Sequence, residues 1–291
     1  MSSSSITSPP SPLSCPPIGS PSSAWTKTLC GYLHELLLKP LSWLYSRLLN
    51  IPRERTIYPL PFGFILKSHA HLREEEGLAM NLARAMGVPA PRCISYGEYG
   101  TSRSILMTRL PGRVLDQVED GQIDWTLIKS DLQRILSRMR AHASPFGRRV
   151  CGVAGGPVRG PMIPNGELPA FDDERAFQKA LRRCFRVGNE HDAGTAVMAH
   201  RFFALPEHAI VFSHGDLKRH NVMVGEDGHV SGIFDWEAAG WLPEYWEVSV
   251  TAVMPEDKWG RLMEEVSGNV YENEVEGHRA VFLLVEDTLR E

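Results

Sequence analysis

The sequence predicts an α+β protein, with short strands before residue 110 and amphipathic helices dominating the remainder. Three observations carry that expectation. Residues 62–67 and 104–108 are compact apolar runs of strand length. Residues 124–139 hold the clearest helical pattern in the chain: Asp124 is a good N-cap, and Trp125, Ile128, Leu132, Ile135, Leu136 and Met139 form one stripe. With 291 residues and 43% hydrophobic content, the chain can bury one large core or two lobes sharing a cleft.

The N-terminus is a different material. Residues 2–23 are dominated by serine and proline with no charged side chain, so residues 1–24 are expected to form a disordered tail. They show no basic start followed by an apolar core, as a secretory signal would, and no arginine of a mitochondrial leader. Residues 25–51 form a helical extension. Leu29, Leu33, Leu36 and Leu37 precede Pro40, and Leu41, Leu44, Tyr45 and Leu48 follow it. His34, Glu35, Lys39 and Arg47 interrupt the run, which should not span a bilayer. Two short helices docked on the rest of the protein are the expected arrangement. Contact of residues 25–49 with a membrane surface or a partner stays open as the alternative.

Beyond the extension, the run Phe62-Gly63-Phe64-Ile65-Leu66-Lys67 reads as a buried strand ending in a lysine. Glu74-Glu75-Glu76 opens a helix with Leu78, Ala79, Leu82 and Met86 inward, and Gly87 with Pro89 and Pro91 stops it. The segment 104–112 begins as a strand and breaks at Pro111-Gly112. Residues 152–161 are glycine-rich but lack the Gly-Lys-Ser/Thr ending of a phosphate loop, so they read as a loop of the second half. A helix is expected over 172–187, with Phe177, Leu181, Cys184 and Phe185 inward, and further helices after Trp246.

The most informative stretch is His214-Gly215-Asp216-Leu217-Lys218-Arg219-His220-Asn221, followed by Ile233-Phe234-Asp235-Trp236-Glu237. Residues 222–224 and 230–234 are strand-like, and the polar segment 225–229 between them reads as a hairpin loop. Asn221 and Asp235 then sit side by side at the open end of the ribbon, with Asp216 on the loop before it. That arrangement suits phosphoryl transfer. Mg²⁺ needs only a carboxylate and an amide oxygen from the protein, and a second carboxylate can accept the proton of an attacking hydroxyl.

The spacing H-x-D-x-x-x-x-N, then a hairpin, then a hydrophobic pair and Asp resembles the protein-kinase-like superfamily. With H-G-D and I-F-D-W-E in place of D-F-G, the chain resembles its aminoglycoside phosphotransferase-like family, and residues 239–247 look like the fungal branch. The resemblance covers residues 52–260. It implies a bilobal protein-kinase-like fold, with a small sheet-bearing N-lobe over 52–110 and a mostly helical C-lobe over 111–291. It implies ATP and Mg²⁺ as cofactors and transfer of phosphate to a hydroxyl of a small molecule. Asp216 would be the catalytic base, Asn221 and Asp235 the metal ligands, and His214 the brace of the loop. Lys67 would hold the phosphates with Glu76 behind it, Glu75 remaining the alternative partner. Backbone groups from Met107 to Leu110 would meet the adenine.

One expected piece is thin. Ahead of Lys67 there is Pro59-Leu60-Pro61-Phe62-Gly63 and no G-x-G-x-x-G, so few backbone N–H groups can face a phosphate. That feature favours a rival reading, a nucleotide-binding or scaffolding member without strong catalysis. A protein kinase is the second rival, opposed by the missing D-F-G and A-P-E segments.

Composition narrows the partners. A formal net charge of −4 without a basic stripe argues against nucleic acid. Five cysteines without a C-x-x-C pair suggest neither zinc nor a disulfide framework, so a reducing, cytoplasmic setting is expected. The eleven histidines include no H-E-x-x-H spacing, and His220 reads as a polar loop residue. The expectation is a monomer acting on a small-molecule acceptor.

Overall fold

A computed structural model describes residues 11–52, 54–184, 193–253 and 258–286. Two helices open it. In α1 (Ala24–Leu33) the Ser23 side chain accepts from the Thr26 N–H, and α2 (Lys39–Leu49) ends at Asn50 in a left-handed conformation. The break expected at Pro40 does not occur. A π-helical turn over His34–Leu38 joins α1 to α2, and the Lys39 N–H reaches back to the His34 carbonyl. Proline lacks an N–H and clashes with the carbonyl four residues back in an α-helix; the wider turn accommodates both defects.

The N-terminal sheet is antiparallel, in the order β1-β2-β4-β3. Its strands are β1 (Ile57–Leu60), β2 (Phe64–His69), β3 (Cys93–Tyr99) and β4 (Ser102–Thr108). The second strand begins two residues later than the sequence pattern suggests. Phe62 adopts φ 62° and Gly63 φ 74°, closing a tight turn between β1 and β2, and Phe62 is 93% exposed. Lys67 is thereby placed within β2, opposite Ile57 on one side and Ile105 on the other. The helix α3 (Glu74–Ala85) buries Ala79, Met80, Leu82 and Ala83 in one cluster with Ile105 and Tyr96. Gly87, at φ 78°, follows its C-cap Met86.

The rest is mostly helical. After the short β5 (Arg113–Val114), Asp124 accepts from the N–H groups of Thr126 and Leu127 and starts α4 (Trp125–Arg140), whose stripe is buried as its spacing predicts. Three two-residue strands follow, β6 (Cys151–Gly152), β7 (Val158–Arg159) and β8 (Glu167–Leu168). Next come α5 (Glu174–Cys184), α6 (Ala193–Phe202) and β9 (Ile210–Ser213). Phe177 and Leu181 are buried; Phe185 and Val187 lie outside the described residues. The ribbon β10 (Val222–Val224) and β11 (Val230–Ile233) pairs Val222 with Ile233, and β10 also pairs with β5. Finally β12 (Gly240–Pro243) joins β6 and β9 in a second small sheet, and α7 (Trp246–Thr251), α8 (Lys258–Val266) and α9 (Glu272–Glu286) complete the fold.

Two apolar clusters hold these parts. One runs from α3 and β4 through α4 to Leu217, Val222, Ile233 and Trp236, so it continues across residue 110. The other gathers Phe177, Phe202, Tyr245 and Trp246 beside α9. The tail differs from its expected disorder where it is described. Leu13 exchanges backbone hydrogen bonds with Ala141 and Ala143, His142 Nδ1 lies 2.9 Å from the Ser14 carbonyl, and the Ser22 N–H meets Glu74. Cys15 and Ile18 pack against the first cluster, which supplies the apolar contact that a serine-rich composition conceals. Residues 1–10 lie outside the described set.

Candidate active site

The loop between β9 and β10 carries His214, Asp216 and Asn221, and backbone hydrogen bonds fix its shape. Gly215 has φ 80°, and a Cβ there would lie 2.4 Å from the Ala238 carbonyl oxygen, so the turn requires glycine. His214 is fully buried; its Nε2 is 3.0 Å from the Phe234 carbonyl and its ring stands edge-on to Trp236. Asn221 Nδ2 donates to the Asp216 carbonyl at 2.9 Å, and the Phe234 N–H donates to the Asn221 carbonyl at 3.0 Å. The ribbon register therefore sets Asn221 opposite Phe234, with Asp235 one residue on. Asp235 itself is left-handed, at φ 65° and ψ 63°. Asp216 Oδ1 faces the Lys218 ammonium at 2.8 Å.

Lys67 joins this loop to the sheet. Its ammonium donates to both carboxylate oxygens of Glu76, at 3.0 and 3.2 Å, and to Asp235 Oδ1 at 2.6 Å. Of the two candidate partners, Glu76 is buried and Glu75 is exposed: the helix turns Glu75 away from the apolar face. Burial pushes the Glu76 carboxyl up to about 7 against the pull of Lys67. For Lys67, burial works downward, yet the charges of Glu76 and Asp235 prevail and raise its pKa. Asp235 is partly buried as well, but Lys67 outweighs that and holds its carboxyl below the usual range. A buried ammonium is stable here because it donates to both carboxylates, which accept from it on either side.

Lys67, Glu76 and Asp235 line one wall of a cleft of about 580 Å³. Met107, Leu110, Met223, Phe234 and His220 line it too. Among the segment expected to meet an adenine, the Thr108 N–H already donates to the Arg92 carbonyl and the Arg109 N–H to the Gly63 carbonyl. Asp216 and Asn221 are not among the lining residues; Asn221 is tied to the lining residue Phe234 by its backbone and to Asp216 by its side chain.

The donor set fits a hard divalent cation. Carboxylate oxygens of Glu76, Asp235 and Glu237 lie within 4.8 Å of one another, and Asn221 commits its side-chain nitrogen to the Asp216 carbonyl, so only its oxygen could serve as a ligand.

The profile of the phosphotransferase enzyme family matches residues 60–278, which include every one of these side chains. The chain belongs to that family. No curated protein matches it. Among solved structures, the phosphotransferase-family fold recurs in aminoglycoside phosphotransferase APH(4)-Ia, in ternary complex with AMP-PNP and hygromycin B. That match has 14% identity and a TM-score of 0.57, covering 81% of this chain and 82% of the other. The enzyme APH(3'')-Id from Streptomyces rimosus, in complex with ADP and streptomycin, matches at 13% identity and TM-score 0.50, covering 84% and 98%. At these identities the likeness establishes the fold.

Sequence reasoning passed over several residues of this phosphotransferase-family site. Glu247 on α7 is buried and accepts the backbone N–H groups of His214, Gly215 and Leu217. Arg219 lies over the Trp125 ring, pairs with Asp120, and donates to the carbonyls of Leu115 and Val118, tying the loop to the start of α4. No spacing rule exposes either, because the partners of both lie on distant segments of the chain. Glu237 carries no role in the sequence pattern beyond standing two residues after Asp235, and the structure gathers its carboxylate with those of Glu76 and Asp235. Gly160 packs beside Gly215 and Ala238, which sets the glycine-rich segment next to the Asp216 loop.

Proposed function

We propose that this chain transfers the γ-phosphate of ATP to a hydroxyl of a small molecule. The observation that supports it most is the Lys67 ammonium, held between Glu76 and Asp235 in a cleft beside the His214 to Asn221 loop. In this reading Lys67 binds the phosphates and Glu76 fixes its position. Residues 52–110 carry the nucleotide-facing lobe and 111–291 the loop-bearing lobe, in a fungal-type member of the family. The backbone from Met107 to Leu110 borders the adenine. Asp235 and Asn221, with Glu237 adjacent, would hold Mg²⁺, which when bound neutralises phosphate charge and polarises the oxygens around phosphorus.

The Asp216 carboxylate accepts the proton of the attacking hydroxyl. The hydroxyl oxygen bonds to the γ-phosphorus as the bond from that phosphorus to the bridging oxygen breaks, and ADP leaves with the electron pair. His214 holds no substrate in this account; it orients the loop through Phe234. The free thiols of Cys15, Cys30, Cys93 and Cys151 suit a cytoplasmic enzyme.

A second reading, a nucleotide-binding module with little turnover, has one feature in its favour. The Pro61-Phe62-Gly63 turn offers no row of N–H groups to a phosphate. Calorimetry of ATP with and without Mg²⁺, then ADP release over small alcohols and peptides, separates the readings. The enzyme reading expects Mg²⁺-dependent binding and ADP release with an alcohol. Binding without release under any acceptor supports the module, release only with peptides supports a protein kinase, and no nucleotide binding removes both enzyme readings and leaves only a scaffold.

A further inference from the structure

The helical rod over residues 24–49 presents its apolar side to solvent and its polar side to the protein. On the inner side, a Cβ at Gly31 would lie 2.1 Å from the Glu98 carbonyl oxygen, so α1 lies directly on β3. His34 is buried, its Nδ1 2.8 Å from Ser104 Oγ and its Nε2 2.9 Å from Ser95 Oγ, and Ser42 and Ser46 are buried beyond it. On the outer side Trp25 is 73% exposed, Leu36 55%, Leu37 59% and Leu48 71%. The π-helical turn adds one residue to the rod, which keeps Leu29 and Leu33 in line with Leu37, Leu41, Leu44 and Leu48.

Such a row is not the outer face of an ordinary surface helix. Scattered exposed leucines are common, but a contiguous apolar stripe of this length marks a surface that is covered in use. Its charge narrows what covers it. Lys27 pairs with Glu74 and Lys39 with Glu35, so the charges left exposed at the rod and its C-terminal end are Arg47 and Arg55, with Glu54 between them, in a chain whose formal net charge is −4. A bilayer with anionic headgroups complements the exposed guanidinium groups and accepts the apolar row beside them. The edges of the stripe carry Trp25, Tyr32 and Trp43, with the Arg47 guanidinium 5.7 Å from the Trp43 ring. Amphipathic rings beside a cation suit the depth of lipid headgroups. Among the described residues no helix is long and apolar enough to cross a membrane, so the geometry is that of a rod lying in the interface.

We propose that the outer face of residues 24–49 docks flat on a phospholipid bilayer bearing anionic headgroups, of the kind on the cytoplasmic leaflet. The test uses the full chain with vesicles of phosphatidylcholine alone and of phosphatidylcholine with phosphatidylserine. Sedimentation with the anionic vesicles is expected, and binding to the neutral ones should be roughly tenfold or more weaker, since each basic residue near the surface contributes about 1 kcal/mol. The double variant Leu36→Glu/Leu44→Glu should lose sedimentation and keep its melting temperature. Tryptophan quenching by brominated lipid gives a second readout that spares the fold. It should appear in the native chain and shrink in Trp25→Phe/Trp43→Phe, which still binds. The proposal fails if the native chain stays in solution with anionic vesicles or if the glutamate variant binds equally well. It also fails if the stripe is instead buried in a concentration-dependent dimer that the glutamates dissolve.

Discussion

The Glu247 carboxylate accepts the His214 backbone N–H at 2.6 Å, from a helix 33 residues further along the chain. The same carboxylate takes the N–H groups of Gly215 and Leu217, so three donors of the Asp216 loop converge on one buried acid. This stretch of the loop is thus held from behind, through its own backbone N–H groups.

That clamp predicts a large effect from a side chain remote from any ligand. Glu247→Ala would leave three buried donors unpaired, at about 1–3 kcal/mol each. The expected result is a melting temperature lower by several degrees, with turnover falling further than nucleotide affinity. An unchanged melting curve would show that the loop holds itself.

Asp235 carries the metal in the proposed site. Asp235→Ala should abolish the Mg²⁺ dependence of ATP binding while the fold persists, as followed by calorimetry and circular dichroism. ATP binding by that variant that still strengthens with Mg²⁺ as much as in the native chain removes the assignment.

The fold and the site were legible in the sequence to different depths. The amphipathic stripe of α4 and its Asp124 cap follow from spacing, because a 3.6-residue period and a capping side chain are local properties. The His214 to Asn221 loop and its hairpin were legible for the same reason. The Pro40 position misled, since a proline in a helix is accommodated by a π-turn that no propensity predicts. The tail misled because two residues, Cys15 and Ile18, reach the core from an otherwise serine-rich segment. Glu247 and Arg219 were invisible, because their partners lie about thirty and one hundred residues away in the chain.

The tail contacts carry a prediction opposite to composition. Removing residues 1–23 deletes the Leu13 backbone pairing, the Ser22 bond to Glu74 and the Cys15 and Ile18 packing. Thermal unfolding of the truncated chain should begin at a measurably lower temperature. A melting temperature equal to that of the full chain would mean these contacts add nothing.

His34 gives the pH dependence a definite sign. Burial, and then the charge of Lys39, lowers its pKa to about 4, whereas the unfolded histidine protonates near the ordinary 6.5. Between those values the unfolded state binds more protons, so this histidine's contribution favours unfolding as pH falls from 6.5 toward 4. His34→Gln should flatten part of the decline in melting temperature between pH 6.5 and 5. A pH profile identical to the native one would assign the acid sensitivity elsewhere, with His278, also held near 4 by burial, the next group to test.

The proposed chemistry rests on Asp216 as the proton acceptor, and one comparison addresses it. Once an alcohol that supports ADP release is in hand, steady-state turnover is measured for the native chain and for Asp216→Asn, with ATP affinity determined for both. The account predicts a fall in turnover of roughly 10²–10⁴-fold, the usual contribution of a positioned general base, at nearly unchanged ATP affinity. Turnover within a few-fold of native in Asp216→Asn would contradict it.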